Sequence, residues 1–233
     1  MSLKENIEFI GERIKISAKK SGRNPEEIKI LGATKSVPTE KIIEAYEAGI
    51  KLFGENRVQE ANQKISEINI PSIEWHMIGN LQKNKVKKAL ELFSVIESLS
   101  SIELAEKINR DAELLNRKIR CFIEVNLAGE ETKWGIKEED IFSSVGKLTG
   151  LKNIEIIGLM AIPPFFENPE MSRPYFKELR EIKEKINRMN LDNISIMELS
   201  MGMSSDYEVA VEEGATIVRL GTILFGPRNR GKK

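Results

Sequence analysis

Eight short runs rich in β-branched and apolar residues recur along the chain, with segments of helical hydrophobic spacing between successive runs. In chain order the runs are IKILGATK, KLFGEN, IEWHMIG, FSVIESL, KIRCFIEVN, IEIIGLMAI, NISIMELS and TIVRLG. Strands that alternate with helices predict a parallel sheet, because each crossover helix returns the chain to the end where the next strand begins. Eight such units in 233 residues predict a closed (β/α)8 TIM-type barrel, with an open doubly wound sheet as the alternative.

A charged amphipathic segment precedes the first of these runs. Between residues 3 and 20, Ile7, Ile10 and Ile14 recur at the spacing of one helix face, so an additional N-terminal helix is expected. The alternating pattern then occupies the rest of the chain and leaves no length for a second domain. We therefore expect an α/β protein with one barrel domain over residues 1–233.

Composition and charge argue against several classes of partner and location. Lys plus Arg and Asp plus Glu number 36 each, and this zero net charge argues against nucleic acid or anionic lipid as a general partner. The single cysteine, Cys121, cannot form an internal disulfide. The first residues lack the apolar stretch of a signal peptide, and the longest apolar run, residues 156–166, is shorter than the roughly 20 residues of a membrane-spanning helix. We expect a soluble cytoplasmic protein without a membrane partner.

The first strand-like run ends in a lysine, Lys35, and the residues before it are apolar or small. Enzymes with this barrel place their working groups at the C-terminal ends of the strands. Partial desolvation at such a position favours the neutral amine, which can attack an aldehyde. A lysine that leaves a strand and points into water is the simpler alternative, so the position of Lys35 is weak evidence by itself.

Two glycine-containing turns follow the last two strand-like runs. The segment LSMGMSSD joins the seventh run to a helix predicted over residues 204–213, with Ser204 or Ser205 as its N-cap, and RLGT ends the eighth run. Free N–H groups in such turns bind anions, and a glycine lets the backbone approach the anion closely. Barrels of this class often bind phosphate with the loops after strands seven and eight. An ordinary cap and an ordinary strand exit are the alternative interpretations.

Closure of the barrel would bring the first and eighth strands together, so that Lys35 and Arg219 become neighbours at one rim. An amine that reacts with aldehydes, a phosphate-binding turn and a cation between them suit pyridoxal 5′-phosphate (PLP). In that cofactor an aldehyde and a phosphate flank a pyridine ring. These residues therefore predict PLP at the C-terminal rim of the barrel.

Five segments that span nearly the whole chain carry a further resemblance. They are ATKSVP, LFGENRVQE, WHMIGNLQKNK, GLMAIPP and ELSMGMSSDYEVAVEEGATIVRLGTILFG. Together and in this order they closely resemble the pyridoxal-phosphate homeostasis protein family, which is related to the N-terminal barrel domain of alanine racemase. The resemblance implies that Lys35 holds PLP as a covalent Schiff base and that Arg219 faces the pyridine nitrogen. It also implies further cofactor-binding residues: Ser204, Gly221 and Thr222 at the phosphate, and Asn56, Met160 and Ser200 around the pocket.

The expected site suits binding better than catalysis. An arginine is effectively always charged, so Arg219 would disfavour a proton on the pyridine nitrogen, and an unprotonated ring is a weaker electron sink. Racemisation needs acid–base groups on both faces of the cofactor, and Lys35 could serve only one. The tyrosines are more simply interpreted as packing residues: Tyr46, Tyr175 and Tyr207.

We therefore expect a protein that buffers or transfers PLP for its homeostasis, with no catalytic residue established. A PLP-dependent amino-acid racemase-like enzyme and a cofactor-free Schiff-base lyase remain the alternatives. PLP-dependent apo-enzymes are the hypothesised recipients of the cofactor, and a monomer or weak dimer is expected.

Two other features have simple interpretations. His76, the only histidine, follows a tryptophan and is expected to be packed and hydrogen-bonded, and the absence of a His/Cys cluster argues against a transition-metal site. The basic run at residues 83–88 predicts a solvated helix face. A surface for nucleic acid or an acidic partner protein is the alternative interpretation of that run.

Overall fold

Eight parallel strands form a closed ring in the computed structural model, which describes residues 2–130 and 134–227. The strands of the ring are β1 (Lys29–Ala33), β2 (Leu52–Glu55), β3 (Glu74–Met77), β4 (Val95–Leu99), β5 (Ile119–Asn126), β7 (Ile154–Met160), β8 (Ile194–Ser200) and β9 (Ile217–Leu220). The strand order is β4-β3-β2-β1-β9-β8-β7-β5, and pairing of β4 with β5 closes the ring. A two-residue strand, β6 (Ile136–Lys137), pairs with β5 outside the ring. The expected (β/α)8 barrel is confirmed.

Helices cover the outside of the barrel. They are α1 (Leu3–Lys20), α2 (Thr39–Glu47), α3 (Val58–Ile68), α4 (Val86–Leu92), α5 (Ile102–Leu114), α6 (Ile141–Leu148), α7 (Arg173–Arg188), α8 (Tyr207–Glu212) and α9 (Thr222–Phe225). The expected N-terminal helix is confirmed as α1, which begins with a capping box between Ser2 and Glu5. No helix in the described part of the chain is long and apolar enough to cross a membrane.

Short 3₁₀ turns delay the start of two helices. The basic run at residues 83–88 is expected to form a helix face, but α4 begins only at Val86, since Lys83–Lys85 forms a 3₁₀ turn before it. Likewise α7 begins at Arg173, after a 3₁₀ turn over Pro169–Ser172. The pattern of apolar residues therefore locates each helix but does not distinguish its first turn from a 3₁₀ turn.

Inward and outward side chains alternate along the strands, as the pleat requires. On β2, for example, Leu52 belongs to the cluster inside the barrel, whereas Phe53 packs between the barrel and the helices. The inner cluster consists of Leu31, Leu52, Ile78, Val95, Phe122, Met160 and Ile217. Buried polar side chains replace apolar ones nearer the C-terminal ends of β4, β5, β8 and β9, where they are Glu97, Glu124, Ser200 and Arg219. The barrel thus has a dry centre and a polar floor beneath its C-terminal rim.

Candidate functional site

Lys35 lies two residues beyond the end of β1, in a loop that is held on both sides. On one side Thr34 is buried and donates its backbone N–H to the carbonyl of Gly54 at 2.9 Å. On the other side Ser36 has a positive φ of 60° and donates its N–H to Glu60 Oε1 at 2.7 Å. The half-buried Lys35 side chain forms no hydrogen bond or ion pair with the described residues. Its amine is therefore free while its backbone is anchored.

The anchors of this loop meet at the buried ammonium group of Lys64 in α3. Its Nζ donates to the carbonyl of Thr34 at 2.6 Å and to Oε1 of both Glu55 and Glu60 at 2.7 Å. All three N–H donors of the ammonium group are thus used. Burial raises the pKa of the Glu55 carboxyl, although hydrogen bonds from Lys64 and Thr34 act in the opposite direction. This network fixes the peptide unit that precedes Lys35.

A cavity of about 560 Å³ opens beside Lys35. The rest of its polar lining comes from the segments that follow β2 and β3, namely Asn56, Arg57, Gln59, Asn80, Gln82 and Lys85. The described residues that line it thus include three cations and no carboxylate. The two segments pack tightly, because a Cβ added to Gly79 would lie 2.5 Å from the carbonyl oxygen of Asn56. The cavity therefore has a rigid wall and a positive lining.

Arg219 lies inside the barrel near the C-terminal end of β9, with 5% of its surface exposed. Its Nη1 donates to the carbonyl and hydroxyl oxygens of Ser200 at 2.6 and 2.8 Å, and its Nη2 donates to the carbonyl of Ala161 at 2.8 Å. Burial lowers the pKa of the guanidinium, and the carboxyl groups of Glu97 and Glu124 oppose that effect. The guanidinium is thus held in one orientation on the polar floor.

A chain of buried polar groups continues from Arg219 across the barrel. The Ser200 hydroxyl donates to Glu97 Oε2 at 2.5 Å, and Glu97 Oε1 lies 2.5 Å from His76 Nδ1. His76 Nε2 lies 3.5 Å from Glu74 Oε1. Burial disfavours the charged imidazole, but the carboxylates of Glu74 and Glu97 outweigh it and raise the pKa of His76. The histidine is thus buried and hydrogen-bonded, as the sequence predicts.

Glu124 on β5 is a second carboxyl group of the polar floor. Its side chain has no hydrogen-bond partner among the described residues, and burial raises its pKa to about 7, with the charge of Arg219 acting in the opposite direction. Strand register sets Glu124 opposite Met160 of β7, and Met160 opposite Ser200 of β8. Sequence reasoning missed Glu124, because a single acidic residue within KIRCFIEVN resembles an ordinary interruption of a buried strand.

The loops after β8 and β9 are tied together. The Ser204 hydroxyl accepts the backbone N–H of Ile223 at 3.3 Å, and after β9 the chain turns at Gly221, the N-cap of α9, whose first residue is Thr222. Within the described residues, the N–H groups of Ser204 and Ser205 donate to no acceptor. Free N–H groups in a turn make a concave site that favours anions. The two loops therefore offer hydrogen-bond donors at the same rim as Lys35.

The helix after β8 begins later than the sequence predicts. It starts as α8 at Tyr207, and its N-cap is Asp206. Asp206 Oδ1 accepts the N–H of Met203 at 2.7 Å, so a turn takes the place of the expected first helical turn. The prediction that Ser204 or Ser205 caps this helix is wrong, because the Asp206 side chain closes the turn and leaves both serines before the helix.

The cofactor-binding residues expected from the sequence lie in three places near the C-terminal rim. Lys35 and Asn56 line the cavity, Met160, Ser200 and Arg219 lie in the barrel interior, and Ser204, Gly221 and Thr222 lie in the loops after β8 and β9. Pairing of β1 with β9 brings the first and third places together, since a Cβ added to Gly221 would lie 3.7 Å from the Ala33 carbonyl oxygen. The cavity itself is lined by only the first of these groups.

Sequence reasoning did not assign two basic residues of the cavity to the site. Arg57 is the exposed N-cap of α3, directly after β2, and Lys85 lies in the basic run at residues 83–88. The prediction of a solvated face describes exposed Lys83 and Lys87, but Lys85 is half-buried and lines the cavity. Their positions in the sequence could have identified them, because both residues follow strands whose C-terminal ends form the rim.

The sequence of the chain matches known families over almost its whole length. The family described as "Alanine racemase, N-terminal domain" matches residues 27–229. A pyridoxal phosphate homeostasis protein of Aquifex aeolicus is 45% identical over 228 residues, which cover 98% of this chain and 99% of that protein.

Solved structures agree with this relationship. PipY of Synechococcus elongatus with PLP bound is 37% identical, has a TM-score of 0.81 and is matched over 93% of this chain and 100% of its own. A crystal structure described as an unknown protein from Bifidobacterium adolescentis is 34% identical, with a TM-score of 0.91 and coverage of 96% and 94%. The chain therefore belongs to the pyridoxal phosphate homeostasis protein family, within the group that shares the N-terminal domain of alanine racemase.

Proposed function

We propose that this chain binds PLP as a covalent Schiff base on Lys35 and serves PLP homeostasis by buffering the cofactor and transferring it to PLP-dependent apo-enzymes. The observation that carries the proposal is the free amine of Lys35, which lies just beyond the end of β1, the strand that pairs with the strand of Arg219. The name of the Aquifex aeolicus relative and the PLP bound to PipY support the same cofactor. The proposal includes a single domain over residues 1–233 that acts as a monomer or weak dimer in the cytoplasm.

The residues at the rim fit this cofactor. When bound, PLP supplies an aldehyde that condenses with a primary amine, and a phosphate that needs hydrogen-bond donors. Lys35 offers the amine, and its anchored backbone limits the entropy that is lost on bond formation. The free N–H groups of Ser204 and Ser205 and the turn at Gly221 and Thr222 would hold the phosphate.

Arg219 has the position and the remaining hydrogen-bonding capacity to face the pyridine nitrogen. A guanidinium has five N–H donors, and three hydrogen bonds hold this one to Ser200 and Ala161. A further N–H can donate to a ring nitrogen, and the permanent positive charge disfavours a proton on that atom. Asn56, Met160 and Ser200 would complete the pocket around the ring. Such a site favours retention of the cofactor over carbanion chemistry.

The lining of the cavity also favours a carrier over a racemase. Racemisation needs a second acid–base group opposite Lys35. Among the described residues that line the cavity there is no tyrosine, histidine or carboxylate. Two of the tyrosines have other partners, since the Tyr46 hydroxyl lies 2.6 Å from Ser72 Oγ and the Tyr175 ring stacks on Phe166. A turnover assay distinguishes a carrier from a racemase-like enzyme and from a cofactor-free Schiff-base lyase.

The proposal is tested by borohydride reduction of the protein loaded with PLP. The wild type is expected to show the yellow band of a lysine-bound cofactor, and mass spectrometry should find the reduced adduct on the peptide that contains Lys35. Lys35→Ala should lose both signals. Lys87→Ala removes an exposed lysine that does not line the cavity and should keep them.

Four outcomes would contradict parts of the proposal. Absence of the band in the wild type would exclude the covalent cofactor. An adduct on Lys85 would show that Lys35 is not the lysine that carries it. Scrambling of D- and L-alanine that depends on Lys35 and PLP would favour a racemase. Activity that survives removal of PLP but not Lys35→Ala would favour a lyase.

A further inference from the structure

The cavity beside Lys35 is lined by two cations, Arg57 and Lys85, that have no role in the proposed binding of PLP. Lys35, Arg57 and Lys85 all line it, and none of the three forms a salt bridge with the described residues. The nearby Lys64, in contrast, is neutralised, because its ammonium lies 2.7 Å from two carboxylates. Cations gathered around one cavity repel each other, and an anion bound among them relieves this repulsion.

From this arrangement we propose that the cavity binds the α-carboxylate of a free amino acid, whose amine then displaces Lys35 from the bound cofactor. The inference rests on the proposed function, because it requires PLP on Lys35. Arg57 would hold the carboxylate through its planar pair of N–H donors, and Lys85 would add a second positive charge. The side-chain amide of Asn80 supplies a further donor in the same lining.

The walls of the cavity suit a small anion. Gly79 brings the backbone after β3 against that of Asn56, so the two segments form one closely packed wall. Val58 and Gln59, the first residues of the 11-residue helix α3, also line the cavity, and the N-terminus of a helix carries partial positive charge. This helix end strengthens the positive potential that the side chains create.

The position of the cavity identifies an amino acid rather than a second phosphate as the ligand. None of Ser204, Gly221 and Thr222 lines it, so it is separate from the donors expected to hold the cofactor phosphate. It does include Lys35 itself, so a ligand held there is next to the carbon bonded to that lysine. In an α-amino acid the amine is attached to the carbon that bears the carboxylate. Binding of the carboxylate in the cavity would therefore hold the amine near the carbon of PLP that is bonded to Lys35.

The displacement conserves atoms and electrons. The amine of the amino acid attacks the carbon of the C=N bond to Lys35, and a new C–N bond forms. The bond from that carbon to Lys35 Nζ then breaks, and Nζ takes up the two protons that the neutral incoming amine gives up, so that it leaves as a free amine. Nothing is oxidised or reduced, and PLP leaves Lys35 joined to the amino acid through the new C=N bond. The cavity would thus couple release of the cofactor to the supply of amino acids.

The test compares alanine with alaninol, which has the same amine but a hydroxymethyl group in place of the carboxylate. PLP-loaded protein is incubated with either compound at one pH and one ionic strength, and borohydride then traps what remains on Lys35. The adduct on the Lys35 peptide is quantified by mass spectrometry, and concentrations are corrected for the fraction of neutral amine. In the wild type, alanine should release half of the cofactor at about a tenfold lower concentration than alaninol, as one charge-assisted hydrogen bond would give.

Variants assign this preference to the cavity. Arg57→Ala should remove most of the preference for alanine over alaninol and Lys85→Gln should reduce it, whereas Lys87→Ala, on the exposed face of the same basic run, should keep the wild-type preference. No preference in the wild type, or a preference that neither cavity variant changes, would overturn the inference while leaving PLP on Lys35 established. Absence of any trapped adduct before amine is added would instead overturn the proposed function itself.

Discussion

The ammonium group of Lys64 donates a 2.6 Å hydrogen bond to the backbone carbonyl of Thr34, the residue that precedes Lys35. The same ammonium neutralises the fully buried carboxylate of Glu55. One side chain from α3 thus supports both the position of the reactive lysine and the burial of a charge. Loss of the Lys64 side chain should therefore destabilise the protein more than loss of an exposed lysine.

Lys64→Met should lower the free energy of unfolding by about 3–5 kcal/mol, because it leaves the Glu55 carboxylate buried without its partner. Adding Glu55→Gln removes the uncompensated charge and should recover part of this loss. Urea unfolding of the two variants and the wild type measures both effects. Equal stability of Lys64→Met and the wild type would mean that this network does not hold the loop.

Gly202→Ala should destabilise the loop after β8. Gly202 has φ +89°, and an added Cβ would lie 2.5 Å from the Cβ of Ala210 and 3.0 Å from the Cα of Tyr207. Left-handed backbone and overpacking together should cost about 2–4 kcal/mol and weaken PLP binding through the adjacent serine N–H groups. Gly146→Ala is the matched control, since Gly146 lies in α6 with nothing within 4 Å of an added Cβ. That change should be neutral or stabilise by up to about 1 kcal/mol, and thermal unfolding distinguishes the two.

Glu124→Gln should change how stability depends on pH. The pKa of Glu124 is about 7 in the folded protein, above its ordinary value of 4.5. The folded state therefore binds this proton more tightly than the unfolded state, and the wild type loses stability as pH rises from 4.5 through 7. Relative to the wild type, the glutamine variant should gain on the order of 2–3 kcal/mol between pH 4 and pH 8. Urea unfolding of the PLP-free proteins at both pH values measures the difference, and a difference that is constant with pH would contradict the raised pKa.

Arg219→Lys should be a costly exchange although it keeps the charge. A single ammonium cannot reach both the Ser200 oxygens and the Ala161 carbonyl in the geometry of the planar guanidinium. We expect a loss of about 2–4 kcal/mol in stability and weaker PLP binding, read from urea unfolding and from titration of the absorption band. Arg120→Lys, at an exposed salt bridge to Glu74, should cost less than about 1 kcal/mol. Similar losses for the two variants would show that burial and planar geometry at Arg219 matter little.

The strands could be predicted from the sequence because strands that are buried on both faces consist mainly of apolar and β-branched residues. Each of the eight runs forms a strand of the ring, and β1 occupies Lys29–Ala33 within the run IKILGATK. The start of α8 was not predictable, because Ser204, Ser205 and Asp206 are all good caps whose preferences differ by less than about 1 kcal/mol. Tertiary contacts decide among such neighbours.

The polar floor illustrates a second limit of sequence reasoning. Glu97 and Ser200 are 103 positions apart, and their 2.5 Å hydrogen bond depends on strand register and on closure of the ring. A single sequence contains neither quantity, so Glu97 and Glu124 appear in it as isolated charges within apolar runs. Once the ring is closed, in contrast, alternation gives the order of its strands and brings Lys35, just beyond the end of β1, beside the strand that carries Arg219.

Closure by the last strand also has a consequence during synthesis on the ribosome. A nascent chain that still lacks β9 already contains Lys35 and the cavity segments, but it has neither Arg219 nor the turn at Gly221 and Thr222. In such a chain Lys35 lacks the partners that are expected to retain an aldehyde beside it. Uptake of the cofactor should therefore wait until β9 has joined the ring, so that partly synthesised chains do not withdraw PLP from the cell's supply.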